Sequence, residues 1–332
     1  MTSLECPDPA PARAEPITPD DVAAAAARIR GHIRVTPVME MEPGQLGLPY
    51  PVVLKLELLQ HTGSFKARGA FNRVLVAEAA GEIGPAGLIA ASGGNHGAAV
   101  AYVGRELGHR AEIFMPSTSP TVKRDRIAGY GAAVNVIDGY FNEAQAASTA
   151  RQAITGATAI HPFEHPSIIA GAGTMAIELD DQVGAYDTLL VSAGGGGFIA
   201  GQAAWLRDRA RVIAVEPFAS CCLYQARRHG EPVQVDVGGV AADSLGTNRL
   251  GSWAWSVIKD FVDDAVLVTD DDIRAAQRAL WDELRLVVEP GGAAALAALR
   301  VGAYVPEPGE RVVVAVCGSN CDPQSVMAPA AS

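Results

Sequence analysis

Short apolar runs recur along the chain, separated by longer stretches in which apolar residues return every three or four positions. The runs are "VVLKLELL", "GLIAAS", "AEIFMP", "AVNVI", "TLLVSA", "RVIAVEP" and "RVVVAVCG". Each is short and rich in branched residues, which predicts buried strands. The alanine-rich stretches between them predict amphipathic helices. Strands that are apolar throughout, alternating with helices, fit parallel sheets covered on both faces, so the expected class is α/β.

One helix start is explicit. "ITPDDVAAAAARIRGHI" places Thr18 as N-cap, Pro19 at the first helical position, and Asp20 and Asp21 in the first turn, where they complement the helix dipole. Residues 1–16 are proline-rich and aperiodic and are expected to form a flexible arm. No internal repeat, low-complexity block or long linker marks a domain boundary.

At 332 residues with 49% hydrophobic composition, the chain has ample material for a core. Its formal net charge of -11 argues against nucleic-acid backbones and anionic membranes as partners. The start carries no secretory pattern and no segment offers an apolar stretch of bilayer length, so a cytoplasmic protein is expected. Five cysteines, with Cys221 adjacent to Cys222, make a poor disulfide framework and read as free thiols.

Chemistry in α/β sheets sits at strand ends. In "HTGSFKARGAFN", the plain reading of Lys66 is a cation on the first turn of a helix. In "ASGGNHGAAVAYVGRELG", Ser92 to Gly97 join a strand to a helix with Ala99, Tyr102, Val103 and Leu107 on its apolar face. Ser92 and Asn95 read either as helix caps or, given three glycines in the turn, as part of a loop that brings a ligand onto backbone N–H groups. In "TLLVSAGGGGFIAGQAAWL", Gly194, Gly195, Gly196 and Gly197 point to a cradle of amides around a phosphate. In "RVVVAVCGSNCDP", Cys317 ends the last strand.

Two cofactors compete for these loops. Gly195, Gly197 and Ala200 fit GxGxxA, and Glu216 ends the next strand, which together read as a nicotinamide dehydrogenase fingerprint. That reading leaves "SFKARG" and "SGGNHG" without a purpose. Pyridoxal 5'-phosphate accounts for all of them, since it needs an amine, a phosphate cradle, donors to its ring oxygen and to the substrate carboxylate, and a partner for its pyridine nitrogen.

"TGSFKARGAFN", "SGGNHG", "HPFEHPSIIAGAGT", "AGGGGFIAG", "VDDAVLVTDDDI", "EPGGAAALAAL" and "CGSN" together resemble, in order and spacing, one known group. It is the serine/threonine dehydratase and serine racemase group of the tryptophan-synthase-like, fold type II, pyridoxal phosphate enzymes. The resemblance implies two domains, each with a mainly parallel sheet flanked by helices. A small substrate-closing domain at 78–163 is inserted in a large cofactor-binding domain at 17–77 and 164–332. It also implies a homodimer.

The resemblance also implies residue roles. Lys66 joins the cofactor's aldehyde covalently and later acts as base at the substrate α-carbon; the local sequence suits that job, since Ser64 can cap the helix and the positive end of the helix dipole is expected to lower the amine's pKa. Phe65 packs on the pyridine ring, Asn95 donates to the ring hydroxyl, Gly194 to Gly197 hold the phosphate, and Cys317 faces the pyridine nitrogen where serine is common. Ser92, Gly93, Asn95 and His96 bind the substrate carboxylate, His96 mainly through its backbone. The implied reaction is β-elimination of a β-hydroxy amino acid such as threonine or serine, giving a 2-oxo acid and ammonia. Racemisation, or dehydration of hydroxyaspartate or phenylserine, is the alternative. Gly93 stands where the racemases have a serine, and Phe163 matches the dehydratase version, which favours elimination. The group's divalent-cation site aligns with "EPFASCCLYQ": Glu216 and the Ser220 carbonyl fit, but Cys222 replaces the usual aspartate and its soft sulfur suits Mg²⁺ or Ca²⁺ poorly. The competing reading of Glu216 is a strand-end acid bonded to a backbone amide.

Overall fold

The computed structural model describes residues 16–327, so the arm expected over residues 1–16 lies outside the described residues except for Pro16. The strands are β1 (Val38–Met41), β2 (Val52–Lys55), β3 (Leu88–Ala91), β4 (Ala111–Pro116), β5 (Ala133–Ile137), β6 (Thr158–Ala159), β7 (Thr188–Ser192), β8 (Arg211–Pro217), β9 (Asp264–Val268) and β10 (Val312–Ala315). They form two sheets, one of six strands in the order β1-β2-β10-β7-β8-β9 and one of four in the order β5-β4-β3-β6. All pairings are parallel except β1 with β2.

Around the sheets lie helices α1 (Pro19–Ile29), α2 (Lys66–Ala79), α3 (Asn95–Leu107), α4 (Thr121–Gly129), α5 (Phe141–Thr155), α6 (Pro166–Val183) and α7 (Gly197–Leu206). They continue with α8 (Cys222–His229), α9 (Ala242–Leu245), α10 (Ser252–Phe261), α11 (Asp270–Leu284), α12 (Pro290–Arg300) and α13 (Pro323–Met327). α1 starts as its sequence dictates: Thr18 Oγ1 accepts from Asp21 N while the Asp21 carboxylate accepts from Thr18 N, a reciprocal capping box.

The large sheet is apolar on both faces. Along β10, Val313 and Ala315 enter a core with Ile169 and Met175 of α6 and Ile199 and Ala203 of α7. Val312 and Val314 enter the opposite core with Ile273 and Leu280 of α11 and Leu296 and Leu299 of α12. The period-2 alternation of Cβ directions thus feeds two hydrophobic layers, which is why the strands read as unbroken apolar runs.

A buried ionic cluster fixes α2 from below. Arg68 has no exposed surface; its Nε and Nη2 donate to the two Glu57 oxygens at 2.7 Å each, and Nη2 also meets Glu178 of α6. Lys55 donates to Thr36 O and Gln182 Oε1, both at 2.7 Å, and to Glu178 at 3.3 Å. Burial alone would raise the Glu57 carboxyl, but the Arg68 guanidinium overrides it and holds the group below the usual range.

β3, β7, β8 and β10 deliver "SGGNHG", "GGGG", "EPFAS" and "CGSN" at their carboxyl ends. Two side-chain links join α4 to the other half: Lys123 pairs with Asp243 of α9, and Arg126 donates to Asn320 Oδ1.

Candidate active site

α2 begins at Lys66 after a 3₁₀ turn, His61–Gly63, in which Thr62 holds φ 60°. The capping expectation for Ser64 does not hold. The N-cap is Phe65, with no side-chain bond, and the Ser64 hydroxyl is buried without a partner among the described residues. What positions Ser64 is its backbone: it bridges antiparallel to Gly318, and Phe65 N–H donates to Cys317 O at 3.2 Å. The cause is competition, since the bridge holds Ser64 extended at φ -163° and ψ 161°. Lys66 and Cys317 are thereby fastened to adjacent segments.

Lys66 Nζ donates to Pro162 O at 2.9 Å. Burial pushes its pKa down to about 8, against the opposing pull of Cys317 and Glu289. Burial is thus the leading cause, where the sequence argument relied on the helix dipole. Phe65, Lys66, His96, Pro162, Gly197 and Phe198 line one small cavity, and Phe65 stacks on Phe198 with centroids 3.9 Å apart.

The glycine loop turns its carbonyls outward. Gly194 O accepts from Cys222 Sγ at 3.2 Å, Gly195 O from Gly251 N at 3.2 Å, and Gly196 O from Ala200 N at 2.9 Å. None of the four amide N–H groups from Gly194 to Gly197 donates to a described residue. Side chains are excluded for two reasons. Gly196 has φ +86°, and a Cβ on Gly195 would come within 2.5 Å of the Phe163 ring. Orphan N–H groups at the start of α7, with nothing but backbone before them, make an anion cradle.

In the loop after β3, Ser92 Oγ accepts from Gly94 N at 3.2 Å, and α3 starts at Asn95 without a side-chain cap. Asn95 is held at both ends: Nδ2 donates to Glu289 Oε1 at 2.6 Å, and Oδ1 accepts from Asn320 Nδ2 at 2.5 Å. His96 is buried, its Nε2 donating to Ile160 O at 2.7 Å, and burial with the nearby Lys66 lowers it to about 3, so the ring stays neutral. Gly93 faces Ser119 across the loop.

Cys317 is buried and donates to Gly291 O at 3.6 Å; burial, reinforced by Glu289, raises its thiol pKa, keeping it neutral. Glu289 carries no assignment from the sequence, yet it joins Asn95 across 194 positions, and burial raises its carboxyl to about 7. The available signal was "EPGG": an acid before Pro290 at the first turn of α12, where backbone N–H groups collect. His161 also went unassigned; its Nδ1 accepts from Glu164 N at 2.8 Å, and burial lowers it to about 4.

The cation expectation at Glu216 and Ser220 is not supported. The Glu216 oxygens accept from Leu223 N at 3.0 Å and Tyr224 N at 2.7 Å, at the start of α8. Burial raises its carboxyl to about 8 against the opposing pull of those two backbone donors. Among the described residues no group of three or more His, Cys, Asp or Glu side chains is placed to hold a metal. Glu216 is the strand-end acid of the competing reading, and its neighbour Cys222 braces the glycine loop.

A buried amine that loses its proton near pH 8, set beside an amide cradle for an anion, defines an α/β protein suited to an aldehyde that carries a phosphate. Residues 29–318 match the family described as pyridoxal-phosphate dependent enzyme, and the chain belongs to that family. It is 36% identical over 304 residues to the biosynthetic L-threonine dehydratase IlvA of Pasteurella multocida, covering 90% of this chain and 58% of that protein. It is 34% identical over 308 residues to the serine racemase of Schizosaccharomyces pombe, covering 92% and 94%. The solved structure of maize serine racemase superposes with a TM-score of 0.86 at 30% identity, covering 93% and 95%. The fold is that of the fold type II enzymes, which retires the nicotinamide reading of Gly195, Gly197 and Glu216. The chain spans little more than half the length of the dehydratase it matches.

Proposed function

We propose that this chain eliminates water from a small L-β-hydroxy amino acid, threonine or serine in the first place, to give a 2-oxo acid and ammonia. The observation that carries the reading is Lys66, an amine buried at the cradle and shifted down to about 8. The residues fit pyridoxal 5'-phosphate: the unpaired N–H groups of Gly194 to Gly197 would take its phosphate, Lys66 its aldehyde and the Cys317 thiol its ring nitrogen. When bound, it supplies the electron sink that acidifies the substrate Cα–H and lets the β-substituent leave.

The remaining work belongs to the chain. Lys66, neutral in an appreciable fraction near pH 8, accepts the α-proton at Nζ. Ser92 and the N–H groups at the start of α3 hold the carboxylate. Cys317, kept neutral by burial, would offer the ring nitrogen only a weak donor and no charge. His96, neutral and bonded to Ile160, supports the loop and carries no proton in the reaction.

The test is a panel of β-hydroxy amino acids assayed for ammonia and oxo acid, with Lys66→Ala as control. Threonine or serine is expected to give both products and the variant neither. Ammonia release by Lys66→Ala near the parent rate would refute the role of Lys66. Similarity to serine racemase supports racemisation as a second reading, and chiral analysis of recovered substrate distinguishes it.

A further inference from the structure

β3 and β4 are parallel neighbours, with Ala91 opposite Phe114, so the loops that follow them leave one edge side by side. The first loop is Ser92 to Gly94; the second runs from Ser117 to Pro120. A Cβ built on Gly93 would lie 2.1 Å from Ser119 Oγ and 3.0 Å from Ser119 Cβ. Real Cβ atoms do not approach so closely, so the Ser119 hydroxyl fills the space that a side chain at 93 would take.

The backbone around Ser119 is tied down. Ser119 N–H donates to Pro116 O at 3.0 Å, and Arg124 Nη2 donates to Ser117 O at 2.8 Å and to Ser119 O at 3.3 Å. The hydroxyl itself bonds to no described residue. Two strands thus contribute hydroxyls, Ser92 from one and Ser119 from the other, to a loop that also presents the N–H groups of α3. A carboxylate is the ligand that takes several such donors at once.

Resting on the reading above, we propose that Ser119 is a substrate-binding residue whose hydroxyl donates to the α-carboxylate, in the space left by the missing side chain of Gly93.

The experiment uses the holoenzyme. Ser119→Ala is expected to raise KM about tenfold or more while kcat changes much less and the visible spectrum of the cofactor is unmoved. Gly93→Ser alone meets the Ser119 side chain and is expected to lose substrate affinity. The double change Gly93→Ser with Ser119→Gly moves the hydroxyl to the other loop and should recover most of it, which a structural role for Ser119 would not do. Calorimetric titration with propionate, a carboxylate without an amine, reads the same site without turnover; affinity should fall in Ser119→Ala and return in the double variant. Unchanged KM and unchanged propionate affinity in Ser119→Ala would overturn the proposal, as would free tolerance of Gly93→Ser. If no β-hydroxy amino acid is turned over yet propionate affinity falls as stated, the proposal stands and the elimination reading is the one that fails.

Discussion

Lys66 works as a nucleophile or base only after losing its proton, and burial brings that event down to about 8. Covalent uptake of pyridoxal phosphate by the apoprotein should therefore rise with pH through about 8, well short of the ordinary lysine range. Intact-mass measurement across pH 6 to 10 checks it; a rise centred near 10.5 would contradict the burial argument. Glu289 carries the opposite consequence. Its folded pKa, raised to about 7, exceeds the unfolded value, so its contribution is complete below the unfolded pKa and is lost as pH climbs through 7. Between pH 4.5 and 7 the parent should lose roughly 2–3 kcal/mol relative to Glu289→Gln, measured by urea unfolding at both ends. Lys66 and the glycine loop were legible because their signals are local: a lysine after Gly63 and Ser64, and four glycines in a row. Glu289, Asn320 and Ser119 were not, because their partners at Asn95 and Gly93 come from other strands and no spacing announces them.

Among the elements, α2 sets the height and angle of Lys66, and the ionic cluster beneath it sets α2. Removing one partner leaves buried charge without compensation, so Arg68→Ala should cost about 3–5 kcal/mol, read as a shift of the urea midpoint. A loss below 1 kcal/mol would mean that packing alone holds the helix. The sequence predicted β4, β5 and β8 with the bounds the structure has, because their apolar runs stop where the ladder stops. It overextended "VVLKLELL", which leaves the ladder at Lys55 and turns into a 3₁₀ helix at Glu57–Leu59, where Glu57 is needed by Arg68. It passed over β1, whose "VMEM" places Glu40 and a half-exposed face on the sheet's antiparallel edge, and β6, which is two residues long. β9 has an apolar run of the right kind, "DAVLV", inside the longer motif "VDDAVLVTDDDI", whose flanking aspartates mask its strand pattern.

Across the whole molecule, two side chains of α4 reach segments outside the four-stranded unit. Lys123 reaches Asp243, while Arg126 reaches Asn320, which in turn holds Asn95. The Lys123–Asp243 pair is partly exposed, with the Asp243 side chain at 57% relative accessibility, so it contributes little to global stability. We propose that it instead biases the four-stranded unit towards closure over the substrate. Asp243→Asn should leave the melting temperature within about 2 °C and raise KM several-fold, with the parent's KM rising towards the variant's as salt is added. Equal KM values for both proteins at low salt would remove the pair from the closing motion.

The backbone bridge between Ser64 and Gly318 has one more effect. On the proposed reading it rivets the amine that would anchor the coenzyme to the thiol that would face its ring, both beside the six-stranded sheet, while the loop proposed to grip the substrate follows a strand of the four-stranded sheet. A jaw built this way would gape to discharge its product while the vitamin-derived tool stayed in its socket, ready for the next turnover.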